Sequence, residues 1–197
     1  MNQTDKGPIR ILGIGGSTRR ASKSRAALSA ALAIAAGLGA ETTLANLGEL
    51  DLPLFNGDLA RADHPPSVDW LIAEARRADA YILCSPTYHG TISGAVKNAL
   101  DLLDLMADGP DGPDGSPDQT FAGKVVGLLA TGGAAANVQT ALYHSARALD
   151  GLVVPTVVSV GNAAIDAEQN RITEPGPLRR LETMVKEVVD LATRLRR

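Results

Sequence analysis

The stretch ILGIGGSTRRASKSR, residues 11–25, decides the fold. An apolar run at 11–14 passes through Gly15 and Gly16 into a loop of hydroxyls and arginines, and an Ala/Leu-rich segment follows that reads as a helix. A strand that turns into a helix in this way cradles an anion. The first helical turn carries unpaired N–H groups and about +0.5 of partial charge, so donors and dipole point the same way. The glycines keep Cβ atoms clear, Ser17, Thr18, Ser22 and Ser24 add hydroxyl donors, and Arg19 and Arg20 bring formal charge.

What the loop lacks narrows the anion. A triphosphate loop of the GxxxxGK type fails because Thr18 and Arg19 stand where Gly and Lys are needed. A dinucleotide fingerprint fails because Thr18 replaces the third glycine of GxGxxG, and the expected second strand, 42–47, ends without an acid. One terminal phosphate, such as that of FMN, suits what remains; a Ser/Gly turn that only caps its helix is the plainer reading.

Working outward, further short apolar runs at 80–84, 125–130 and 152–160 alternate with helical stretches at 22–38, 67–78, 94–106, 135–149 and 177–195. Short continuous runs fit strands buried on both faces, with 42–47 as an edge. Five strand–helix units with right-handed crossovers predict an α/β doubly wound parallel sheet of order 2-1-3-4-5, its ligand at the carboxyl ends of the strands. The 197 residues, 45% hydrophobic, suit a single domain spanning 1–197, with a flexible acidic insertion at about 107–120 (DGPDGPDGSPDQ) too rich in Pro, Gly and Asp to pack.

Composition excludes several classes. A net charge of −3 offers no field for nucleic acid. No run is long enough to span a membrane, and MNQTDKGPIR lacks the apolar core of a signal peptide, so a cytoplasmic protein is expected. The single cysteine, Cys84, falls in an apolar strand and reads as a core residue; Asp and Glu show no metal-ligand spacing. His64 precedes two prolines and His144 sits in a helical stretch, so no motif joins either to a nucleophile.

Three loops should meet at the carboxyl edge: the first at 15–24, SPTYHGTISG after strand three, and TGGAAANVQ after strand four. Pro86 and Gly90 shape a turn that presents Thr87, Tyr88 and His89, with His89 equally readable as a surface turn residue. Thr131, Gly132 and Gly133 expose a hydroxyl and bare amides to a heterocycle's edge. Good cofactor loops with few titratable groups suit chemistry done by a cofactor, and no catalytic side chain is assigned.

These stretches, with LGELDLPLFNGD after strand two, resemble the NADPH-dependent FMN reductases of the flavodoxin-like superfamily over nearly the whole chain. The resemblance implies FMN phosphate held by Ser17, Arg19, Ser22 and Ser24, and the flavin ring against Pro86, Thr87, Tyr88, His89 and Gly90, with Thr131, Gly132 and Gly133 at its pyrimidine side. It implies hydride transfer from NADPH or NADH to FMN, and on to free flavin, a quinone, an azo compound or a metal ion, with a flavin-dependent monooxygenase among the possible partners. It also implies a homodimer or homotetramer formed through the helix at 94–106. Ser93 stands where the family turn commonly has Pro, and AAANVQ replaces a fuller Gly and His pattern. A one-electron carrier of the flavodoxin type and a non-catalytic FMN-binding regulatory protein are the alternative readings.

Overall fold

In the computed structural model, residues 7–107 and 121–196 are described. The expected acidic insertion lies, apart from Ala107, outside the described residues. Five parallel strands run in the order β2-β1-β3-β4-β5, namely β1 (Arg10–Gly15), β2 (Glu41–Asn46), β3 (Ala80–Pro86), β4 (Val125–Thr131) and β5 (Leu152–Val153). The helices α1 (Lys23–Gly37), α2 (Pro66–Arg77), α3 (Gly94–Leu102), α4 (Ala135–Ala148) and α5 (Pro175–Leu195) cover the two faces. The expected α/β sheet order therefore holds.

Alternation along the central strands builds the two layers. In β3, Ala80, Ile82 and Cys84 join the core under α1 and α5, while Tyr81 and Leu83 join the core under α2, α3 and α4. Each is fully buried, as expected of strands covered on both sides. Glycine sets how closely the helices approach: a Cβ on Gly13 would lie 2.8 Å from Leu32 Cδ1, and one on Gly127 would lie 3.0 Å from Val188 Cγ2. Helix α1 is apolar on most of its circumference, with Ala26, Ala27, Ala30, Ala31 and Ala35 all buried, so its small side chains let it seat deeply against the sheet.

The stretch 152–160 is a correction. The expected single strand is two short ones, β5 and β6 (Val158–Val160), both paired with β4. Pro155 has no N–H to give the ladder, and the chain leaves the sheet there. Glu187 of α5 recovers the excursion by accepting from the Thr156 amide at 2.9 Å and hydroxyl at 2.7 Å. The helix expected over 94–106 ends at Leu102 and continues as a tighter turn, Leu103–Ala107, while α2 and α5 each begin on a proline, suited to the first turn because its missing N–H has no intrahelical partner there. A two-stranded hairpin, β7 (Ile165–Asp166) and β8 (Arg171–Ile172), is too short to show in the sequence.

Polar side chains brace the end of α2 against the sheet. Tyr81 donates its hydroxyl to the Ala75 carbonyl at 2.6 Å, and Lys124 donates to the carbonyls of Ala75 and Arg76 at 2.9 and 3.2 Å, so the last carbonyls of α2 meet a cation where the helix dipole is negative. Cys84 is buried, and burial alone pushes its thiol far above the ordinary range.

Candidate functional site

The carboxyl end of β1 touches the backbone of β3. The Gly16 amide donates to the Cys84 carbonyl at 3.2 Å, and a Cβ on Gly15 would overlap that carbonyl oxygen and lie 2.9 Å from its carbon. Only glycine permits this approach, which turns the following loop over the edge of the sheet. Ser22 then caps α1, its hydroxyl accepting the Arg25 amide at 3.2 Å.

Three hydroxyls gather at that cap. Ser17, Ser22 and Ser24 are at most 5% exposed. The Ser17 amide and hydroxyl both donate to Ser22 Oγ, at 3.2 and 3.1 Å, and Ser22 and Ser24 Oγ lie 3.1 Å apart. With the Arg25 amide, three donors converge on one oxygen that has two lone pairs. Donor capacity is in surplus, and an anion placed there would take it up. The amides of Lys23 and Ser24, ahead of the first helical bond from Ala26 to Ser22, point the same way.

The second loop is pinned to the third. Thr87 donates its amide and its hydroxyl to the Thr131 carbonyl, at 2.9 and 3.1 Å, and the Gly132 amide donates to the Val160 carbonyl at 3.0 Å. Beyond Thr87, Tyr88 and Thr91 exchange backbone hydrogen bonds across a two-residue turn in which His89 and Gly90 have φ of 50° and 82°, the paired positive values of a tight hairpin turn. Ser85 accepts the Ser93 amide at 2.9 Å, and Ser93 caps α3 by accepting from Val96 at 3.3 Å. A hydroxyl at this departure position thus serves as the helix cap.

These loops surround one cleft of about 280 Å³. Ser17, Arg19, Ser22 and Ser24 line it from the first loop, Pro86, Thr87 and Tyr88 from the second, and Thr131, Gly132 and Gly133 from the third. His89 and Gly90 stand outside the lining, at the tip of the turn. Sequence reading missed Ala21, Lys23 and Asn162. Lys23 Nζ donates to the Asn162 carbonyl and ties α1 to the loop after β6. Nothing in residue type marked Asn162; its position at the carboxyl edge, past a strand read as ending at 160, was the available signal.

The fit of FMN to this cleft rests on a specific atom. Thr131 lines the cleft, and its Oγ1 is buried with no hydrogen-bond partner, a deficit that a ligand's polar edge would relieve. His64 Nε2 is a second such atom but does not line the cleft. No Asp, Glu or His lines the cleft, and among the described residues no cluster of metal-binding side chains occurs.

A family model described as NADPH-dependent FMN reductase matches residues 9–165. The chain belongs to that family. It is 30% identical over 181 residues to an NAD(P)H-dependent FMN reductase of Pseudomonas aeruginosa, covering 92% of this chain and 89% of that one. A quinone reductase of Escherichia coli is 32% identical over 77 residues, 39% of this chain and 36% of that protein. Among solved structures, FerB, a flavoenzyme NAD(P)H:(acceptor) oxidoreductase of Paracoccus denitrificans, superposes with a TM-score of 0.74 at 25% identity, over 94% of this chain and 98% of that chain. The enzyme is a flavin-dependent NAD(P)H oxidoreductase with a flavodoxin-like fold, and its cofactors are FMN and NAD(P)H. No described helix is long and apolar enough to cross a membrane.

Proposed function

We propose that this FMN reductase holds the FMN phosphate on Ser17, Arg19, Ser22 and Ser24 and the flavin ring between the second and third loops, and reduces a small acceptor there. FMN, when bound, supplies the redox chemistry that links NAD(P)H to the acceptor. The chain's own residues position it: the hydroxyl cluster and helix terminus fix the phosphate, Thr131 and the Gly132 and Gly133 backbone meet the ring's polar edge, and Tyr88 covers it. His89 and Gly90, at the turn tip, would reach the ring only from its outer side. The observation that carries this reading is one cleft lined by all three loops, among its lining residues a cluster of surplus hydroxyl donors and Thr131, whose buried hydroxyl has no partner.

The acceptor class that suits the cleft is a flat molecule entering over Tyr88: free flavin, including flavin supplied to a partner monooxygenase, a quinone or an azo compound, with a metal ion as an outer acceptor. Relatives named FMN reductase and quinone reductase support that range. The acting form is a homodimer or homotetramer in the cytoplasm. A groove of about 350 Å³ beside the cleft, lined by Leu47, Leu52, Leu54, Gly94, Ala95 and Asn98, leaves Leu54 84% exposed, the kind of apolar surface a second subunit covers.

The test is the visible spectrum of FMN-loaded protein under anaerobic conditions, before and after NADPH and then NADH. Rapid bleaching followed by recovery on adding a quinone supports the reading; flavin bands that neither nucleotide bleaches would return the chain to the carrier or regulatory alternative.

A further inference from the structure

Two consecutive residues at the carboxyl end of β3, Cys84 and Ser85, are fully buried, and neither lines the cleft. Successive side chains of a strand point to opposite faces, and each of these two closes a different loop.

Cys84 holds the first loop at both ends. Its carbonyl accepts the Gly16 amide at 3.2 Å where the loop departs, and its thiol donates to the Ser24 carbonyl at 3.3 Å where the chain has entered α1. Between these points lie Ser17, Arg19 and Ser22. Ser24 carries the constraint inward, because its hydroxyl stands 3.1 Å from Ser22 Oγ, the oxygen on which the donors converge. Burial keeps the Cys84 thiol protonated, so it remains a donor.

Ser85 closes the second loop from the other face. Its hydroxyl donates to the Pro86 carbonyl at 2.9 Å and accepts the Ser93 amide at 2.9 Å, so one oxygen ties the start of the loop to the cap of α3. Thr87 and Tyr88, which line the cleft, lie between. The partners of the two side chains are separate, so loosening one loop leaves the other closed.

We infer that Cys84 and Ser85 are positioning residues that divide the bound flavin between them: Cys84 sets the loop that holds the phosphate, and Ser85 sets the loop that holds the ring. The inference rests on the proposed placement of FMN in the cleft. Each residue acts through the backbone it fixes.

The experiment compares FMN-loaded variants by two spectra. Phosphorus NMR of the bound FMN reads the phosphate end, and the visible absorption bands read the ring end. Cys84→Ala should shift the phosphorus resonance, leave the visible bands in place and raise the FMN dissociation constant about three-fold. Ser85→Ala should shift the visible bands, leave the phosphorus resonance in place and weaken FMN by about as much. Cys84→Ser and Ser85→Cys, which keep a donor on each side chain, should hold affinity within about two-fold of wild type. They should also move, by less, the same single signal as their Ala counterparts; should an Ala variant not fold, this pair carries the test. Both signals moving together in either variant, a crossed pattern, or wild-type affinity with neither signal moved overturns the inference. A serine at 84 that holds FMN no better than alanine overturns it as well. Arg19→Ala checks the placement itself: it should move the phosphorus resonance, and if it does not, the proposed seat of the phosphate fails and this inference with it.

Discussion

Thr87 donates twice to one oxygen, the Thr131 carbonyl, through its amide at 2.9 Å and its hydroxyl at 3.1 Å. This pair continues the β3–β4 ladder past the last paired residues, Pro86 and Thr131, and fixes the spacing of the second and third loops, which line the cleft. Replacing Thr87 by Val keeps shape and amide but deletes the hydroxyl donor. Equilibrium unfolding in urea should show a loss of about 0.5–1.5 kcal/mol with the denaturant slope unchanged.

Thr131 itself should behave in the opposite way. Its hydroxyl is buried without a partner, so Thr131→Val should leave the stability of the FMN-free protein unchanged or raise it by up to about 1 kcal/mol. FMN affinity should fall by about 0.5–1.5 kcal/mol, because the bond that satisfies the hydroxyl is then missing. Thermal unfolding without FMN and fluorescence titration with it separate the two effects; a variant that loses stability and keeps its affinity refutes the assignment.

Arg19 lines the cleft proposed for FMN and carries no pairing carboxylate among the described residues. With Arg19→Ala, the FMN dissociation constant should rise roughly ten- to hundred-fold, the loss of a charge-assisted hydrogen bond of about 1.5–3 kcal/mol. The loss should shrink as salt is raised.

At Gly15 the limit is steric. An Ala Cβ would meet the Cys84 carbonyl, a backbone group that cannot swing aside, with the carbonyl carbon at 2.9 Å and Cys84 Cβ at 3.0 Å. Gly15→Ala should cost at least about 2 kcal/mol, read as a lowered midpoint in thermal or urea unfolding.

Cys84 should not react with a thiol reagent at pH 8 while the chain is folded, and should react fully in denaturant. Burial raises its pKa in the native state, so the native thiol stays protonated where the unfolded one begins to ionise. The linkage has one sign: no contribution below the unfolded value of 9.0, and a loss of stability as pH rises above it. Comparing wild type with Cys84→Ala across pH 8–10 isolates that loss.

The sequence alone determined the sheet. Short apolar runs separated by helical periodicity admit few packings, and the handedness of crossovers leaves the order 2-1-3-4-5, so β1, β3 and β4 and the three loops at their carboxyl ends could be placed without coordinates. The hydroxyl- and Gly-rich loops were legible because a close backbone approach and a helix cap need those residue types locally, as Gly15 and Ser22 show. Other features depended on contacts distant in sequence. The break at Pro155 is held by Glu187, the cap on α2 comes from Lys124, and Asn162 reaches the cleft through Lys23. Which arginine of the first loop lines the cleft was also settled by the fold: Arg19 does, while its neighbour Arg20 does not. Adjacent residues in a turn diverge according to backbone direction, and that direction is set where Gly16 meets Cys84, about seventy residues away along the chain.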